Sequence, residues 1–160
     1  MSNLSQKTSE EMLKEFHTKY GHMIKDRPTL DIPQAVKILR AKLILEEVEE
    51  TIRAMGFKVS IFLGEHDPHM ENLSEIADGL ADSKYVIVGT AITYGIPEAR
   101  VFREVHNSNM TKTPAPVSPG QKYGTKTPKG PDYVAPDISG ILDVPEALTV
   151  LEIRAGYKPK

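Results

Sequence analysis

Residues 43–50 read LILEEVEE. On a helix, Glu46, Glu47 and Glu50 carry on the stripe begun by Ala35, Leu39 and Leu43, so a face that starts apolar, and hence inward, turns acidic without changing direction. Glu49 falls about 100° from Glu50 and is expected to point elsewhere. Any fold that takes up this segment has to turn carboxylates toward its interior. Two carboxylates about 5 Å apart at an effective dielectric of about 20 repel by about 3 kcal/mol, so a converging cluster calls for protonation or a bound cation.

The rest of the chain reads as helices set between proline and glycine breaks. Met12, Phe16, Tyr20 and Met23 share one stripe and predict a first helix with Ser9 as its cap. Two prolines in residues 26–33 interrupt it, and Pro33 suits the first turn of a second helix running to about Met55, before Gly56. Residues 58–63 alternate weakly and 64–69 are turn-like, so this link reads as a short strand or a loop, with the loop favoured. A long third helix is expected over residues 69–94, with Leu73, Ile76, Ala77, Leu80 and Ile87 on one side. Its stretch 85–93 is apolar nearly all round, which predicts burial between other helices or against a second subunit; Gly89 and Ala91 allow close approach. Gly95 and Pro97 set off a fourth helix ending near His106, with Val101, Phe102 and Val105 on its apolar face.

From Thr111 to Pro145, seven prolines and four glycines forbid a persistent helix or central strand and predict an arm or lid, either functional or packed on a neighbouring subunit. Residues 146–155 are expected to form a last short helix. The fold class is therefore all-α, with one domain over residues 1–160: a helical core of about 9–110, the arm of about 111–145, and the short C-terminal helix.

Composition removes several function classes. With 20 Lys+Arg against 22 Asp+Glu, a formal charge of -2 and a pI near 6.2, nothing favours nucleic acid or an anionic membrane as partner. The absence of cysteine excludes a disulfide framework, a thiolate zinc site and a cysteine nucleophile, and no apolar run approaches the roughly 20 residues of a membrane helix. The polar, acidic start over residues 1–11 is unlike a signal peptide, so the chain is expected to be mature protein of a reducing, cytoplasmic compartment.

A second acidic set, Glu71, Glu75, Asp78 and Asp82, again makes one helical stripe, away from Leu73, Ile76 and Leu80. Either row alone is what a solvated helix face looks like. Two rows, one continuing an apolar stripe, point instead to a shared cation. Oxygen-only ligands favour Mg²⁺ or Mn²⁺, and those ions favour phosphate-bearing substrates. A di-iron carboxylate bundle would need Glu-x-x-His on two helices, and no Glu here has His at the third position after it.

The arrangement Glu46-Glu47-x-x-Glu50, a 24-residue gap, then Glu75-x-x-Asp78 resembles the EExxE…ExxD signature of the all-α nucleoside triphosphate pyrophosphohydrolases, the superfamily of MazG, dimeric dUTPase and phosphoribosyl-ATP pyrophosphohydrolase. The similarity extends through DSKYVIVGTAITYGI at 82–96, EVHNSNMTK at 104–112 and KGPDYVAPDI at 129–138, a combination that looks like the short MazG-like members of bacteria and their phages. The resemblance implies a MazG-like helical bundle in which Glu46, Glu47, Glu50, Glu75 and Asp78 hold two or three Mg²⁺ ions, with Mn²⁺ able to substitute. Glu46 or Glu47 would be the general base, and Asp82 a further ligand or a partner of one. The products would be a nucleoside monophosphate and pyrophosphate.

Asn109 and Lys112, with His106 and Asn107, follow the expected end of the fourth helix and become nucleotide contacts in this light; without the resemblance they read as a helix cap and a solvated lysine. Lys122, Lys126 and Lys129 in the arm could close over polyphosphate. His66 and His69 read as surface residues, Tyr85 and Tyr94 as core or interface, and Arg100 and Arg103 as ion-pair partners. The resemblance also implies a homo-oligomer, a dimer or dimer of dimers. Substrate choice leans to a purine deoxynucleotide, dGTP or dATP, with dUTP the alternative and phosphoribosyl-ATP behind both. The rival classes are a non-catalytic helical interaction module and a nucleotide sensor without turnover.

Overall fold

The computed structural model describes residues 7–115 and 125–143. Every regular element among them is helical, the expected all-α class, and no helix is long and apolar enough to cross a membrane. The expected last helix at 146–155 and Lys122 lie outside the described residues.

Helix α1, Ser9–Tyr20, is capped by Thr8 and not by Ser9. The Thr8 hydroxyl accepts from the Glu11 N–H at 3.2 Å, and the Glu11 carboxylate accepts from the Thr8 N–H at 2.7 Å. This reciprocal box satisfies two otherwise unpaired N–H groups, which Ser9, with Met12 three residues on, could not do. The helix stops at Gly21, whose φ of 68° is the left-handed conformation that glycine adopts without strain, so Met23 falls outside it.

Helix α2, Gln34–Ala54, follows Pro33 and ends ahead of Gly56, as its sequence predicts. Its buried position near the start is Val36, whereas Ala35 is exposed. The inward stripe thus starts at Val36 and not at Ala35. Residues 57–67 form no regular element, and Pro68–Met70 makes a single 3-10 turn capped by the Asp67 carboxylate, which accepts from the His69 N–H at 2.9 Å.

Helix α3, Leu73–Thr93, starts later than His69 because Asn72 caps it, its side-chain oxygen accepting from Ser74 N–H at 3.0 Å and Glu75 N–H at 3.3 Å. Helix α4, Glu98–Asn109, follows Gly95 and Pro97 and runs three residues past the expected end. A short helix α5, Ile138–Leu142, sits between Pro136 and Pro145, where the proline count predicts none; the Asp137 carboxylate caps it through Gly140 N–H at 2.9 Å.

Helix α4 is the hub, packing on α1, α3 and α5. Residues 125–143 dock on its C-terminal half: Thr113 N–H donates to Pro128 O at 3.2 Å, Ser108 Oγ to Val134 O at 2.7 Å, and Asp137 N–H to Glu104 Oε1 at 3.1 Å. Gly130 makes that docking possible, since a Cβ there would stand 1.6 Å from Thr113 Oγ1. The described part of the expected arm is therefore ordered by its own chain. The apolar core is thin, with Met12, Val36 and Ala91 its buried members among the described residues.

Candidate active site

Helices α1 and α2 face each other across a cavity of about 290 Å³. From α2 the lining side chains are Val36, Leu39, Arg40, Leu43 and Glu47, one helical stripe that begins apolar and ends in a carboxylate. Leu39, Leu43 and Glu47 thus share a direction, as the sequence predicts. Glu46 lies at the edge of this stripe and accepts from Lys126 Nζ at 2.6 Å. Glu50 is exposed one turn further along, and Glu49 turns away to pair with Arg53, the expected outlier.

The second acidic row is displaced from its expected form. Glu71 precedes the cap of α3 and is not on the helix; Lys37 Nζ donates to its two oxygens at 2.5 and 2.7 Å, and His66 Nε2 lies 2.7 Å from one of them. The Lys37 hydrogen bond first, then that from His66, holds the Glu71 carboxyl below its usual range. His66, read as surface decoration, is instead part of a clamp between the start of α2 and the entry to α3. A carboxyl whose pKa is lowered by folding contributes stability above its ordinary pKa of 4.5, and that contribution is lost as the pH falls through the lowered value. We expect Glu71→Gln to lower Tm at neutral pH and the gap from wild type to close in thermal melts taken progressively below pH 4.5. An unchanged gap at both ends would remove the clamp from the stability of the fold.

Glu75, Asp78 and Asp82 lie exposed along α3. That helix meets the other helices only through α4, and its first half makes no contact with α2. Among the described residues no three His, Asp or Glu side chains gather as a metal cage. The expected convergence of Glu46, Glu47 and Glu50 with Glu75 and Asp78 is therefore not made within one chain. The donor chemistry suits a hard divalent cation, but the described residues of the single chain do not close a site around one.

The four residues expected to contact nucleotide also part company. His106, Asn107 and Asn109 belong to the last turns of α4 and do not follow it, because the helix continues to Asn109. His106 is buried with Nε2 3.7 Å from Glu15, and with Asn107 it lines a second cavity beside Arg103 and Met12. Asn109 and Lys112 line the first cavity, with Glu47. Tyr20 fixes the Lys112 backbone by donating from its hydroxyl to the Lys112 carbonyl at 2.7 Å. Burial, helped by the charges of Lys126 and Lys129, lowers the Lys112 pKa against the opposing pull of Tyr133 and Glu47. A cationic group thus stands beside the acidic end of the cavity.

Sequence reasoning did not single out Arg40 on the α2 side, nor the opposite wall of Phe16, His17, His22 and Thr127. Phe16 was legible only as a stripe residue of α1, and His22 lies just beyond the glycine that ends that helix.

The model of the phosphoribosyl-ATP pyrophosphohydrolase family matches residues 13–109, a span that includes helices α2 to α4 and most of α1. No curated protein matches the chain. Among solved structures, a candidate NTP pyrophosphohydrolase from Exiguobacterium sp. 255-15 superposes with a TM-score of 0.51 at 17% identity, over 96% of this chain and 100% of that one. At such identity the likeness is one of fold.

Proposed function

The chain belongs to the phosphoribosyl-ATP pyrophosphohydrolase family, and from that premise we propose that it hydrolyses a nucleoside triphosphate to the monophosphate and pyrophosphate. The observation that carries the reading is the cavity whose apolar stripe ends at Glu47 beside Lys112 and Lys126. Such a site offers an apolar floor to one end of a ligand and cations to an anionic other end. Lys112 binds phosphate and Asn109 offers donor and acceptor together. Of the two candidate bases Glu47 is favoured, because it lines the cavity whereas Glu46 is engaged by Lys126. His106 and Asn107, facing the second cavity, have no part in it.

The same reading makes Glu46, Glu47, Glu50, Glu75 and Asp78 the holders of Mg²⁺, or of Mn²⁺ in its place, with Asp82 supporting them. When bound, the ions would neutralise triphosphate charge and lower the pKa of water. Assembly requires α3 to be brought against the α2 row, and the exposed apolar side chains around α3 supply the reason for it. Leu80 is 54% exposed, Ile87 58%, Ile92 74% and Tyr85 82%, on one 21-residue helix. Apolar exposure on that scale marks an association surface, and a second copy of the chain is the partner proposed. The functional unit is then a single-domain protomer in a dimer or dimer of dimers.

A purine deoxynucleoside triphosphate is the favoured substrate, with dUTP as alternative; the family match adds phosphoribosyl-ATP to those that must be tried. The experiment is a panel of these nucleotides with Mg²⁺ or Mn²⁺, with and without chelator, products being resolved by chromatography. Monophosphate plus pyrophosphate from one nucleotide, abolished by chelator, is the expected result. Absence of turnover by a folded, oligomeric protein would favour a nucleotide sensor or an interaction module.

A further inference from the structure

The apolar half of the first cavity lies away from Glu47, and we infer that it is a nucleoside pocket in which Phe16 and His22 form the wall for a base and the segment around Thr127 forms the cover. The inference rests on the pyrophosphohydrolase reading and assigns its substrate-selecting residues.

Three observations meet here. The Phe16 and His22 rings stack, with centroids 5.5 Å apart and planes 12° from parallel, and Tyr20 braces Phe16 at 4.7 Å. A braced, flat aromatic pair is a surface on which a planar heterocycle stacks at little cost in side-chain freedom. Next, the His22 Nε2 and Thr127 Oγ1 lie 2.7 Å apart, with Thr127 buried. Burial, and then the charges of His17, Arg40 and Lys112, lower the His22 pKa, which favours the uncharged ring with one donor and one acceptor nitrogen. With Nε2 on Thr127, the plane of the His22 ring is fixed against Phe16.

The third observation is the path of the cover. Neighbouring residues of one segment hold the two ends of the cavity: Thr127 on His22 at the aromatic end, Lys126 on Glu46 at the acidic end. A ligand lying between them would be aromatic at one end and anionic at the other. Along α2 the stripe from Val36 to Glu47 spans roughly 16 Å, at about 1.5 Å per residue. That run from apolar floor to carboxylate orders base, sugar and phosphates in the sequence a nucleotide has them.

The test uses His22→Ala, His22→Gln and Phe16→Leu, each checked for wild-type helix content and melting. The expected result is a KM for the preferred triphosphate raised roughly tenfold to a hundredfold, with the ranking of bases flattened. Inhibition by inorganic tripolyphosphate, which has no base, should stay at the wild-type level. Unchanged KM and ranking in folded variants would overturn the pocket and leave the pyrophosphohydrolase reading intact. Should the wild-type chain hydrolyse no triphosphate, that broader reading fails, and calorimetric titration with nucleosides alone decides the pocket. Binding that is lost in His22→Ala upholds it, and no binding to the wild-type chain overturns it.

Discussion

Glu47→Gln should reduce turnover of the preferred triphosphate by about two orders of magnitude or more, with the fold unchanged, the range expected when a positioned acid–base or charge-stabilising group is removed. The substitution keeps the shape of the side chain and removes its charge from the cavity's acidic end. Its structural contact, Thr51 Oγ1 donating at 2.7 Å, is to the Glu47 backbone carbonyl and survives the change. Glu50→Gln should behave alike if its carboxylate joins the same cation. Glu49→Gln is the control on the same turn: it loses an exposed pairing with Arg53, which contributes at most about 1 kcal/mol, and should leave turnover near wild type. Calorimetric titration with Mn²⁺ separates the causes, since the Glu47 and Glu50 variants should bind it more weakly and the Glu49 variant should not. Near-normal turnover in both Glu47→Gln and Glu50→Gln would return the α2 row to a solvated helix face.

The second large effect is expected at a distance from that cavity. Ile87→Lys, in the middle of α3, should convert the proposed wild-type oligomer to monomers at micromolar concentration in light scattering, and activity should fall with it. Each large aliphatic side chain buried against a second copy is worth about 1.5–3 kcal/mol, and a charge in its place adds a desolvation cost. The two together raise the dissociation constant by at least about a hundredfold. Because Ile87 is exposed in the single chain, helix content should survive the substitution in circular dichroism. Mn²⁺ affinity should fall in parallel, since Glu75 and Asp78 stand on this helix and meet no α2 carboxylate within one chain. A wild-type protein that is monomeric and fully active would refute both the assembly and its link to the metal site.

These two expectations were legible in the sequence to different degrees. The direction of the Glu47 side chain follows from Leu39 and Leu43, two turns and one turn before it, because helical periodicity relates neighbours on one element. The apolar surround of residues 85–93 left two destinations open, other helices or another chain; among the described residues Ala91 is buried whereas Ile87 and Ile92 stay exposed, which is what favours the second. The stripe of Glu71 with Glu75 failed for a different reason. Spacing assumes that the helix is already running at Glu71, whereas Asn72 opens it and Lys37, thirty-four residues earlier, takes the carboxylate. Likewise Thr8 outcompeted Ser9 because a cap is judged by its partner three residues on, and Glu11 stood there to be read.

By itself the sequence determined the helices: where α2, α3 and α4 lie, that Pro33, Gly56, Gly95 and Pro97 separate them, and that an acidic row follows an apolar one on α2. Those are local events, settled by dihedral preferences and by hydrogen bonds that close within about four residues. Tertiary structure alone decided which side chains share a cavity. It put Lys112 and Asn109 with Glu47, set His106 and Asn107 in a second cavity beside Met12 and Arg103, and brought Thr127 onto His22 across 105 residues of chain. A helical wheel gives the angle between two side chains of one helix but not what lies opposite either of them. What lies opposite depends on how separate helices pack, and here α1, α2 and residues 125–143 meet only through packing and hydrogen bonds between distant parts of the chain.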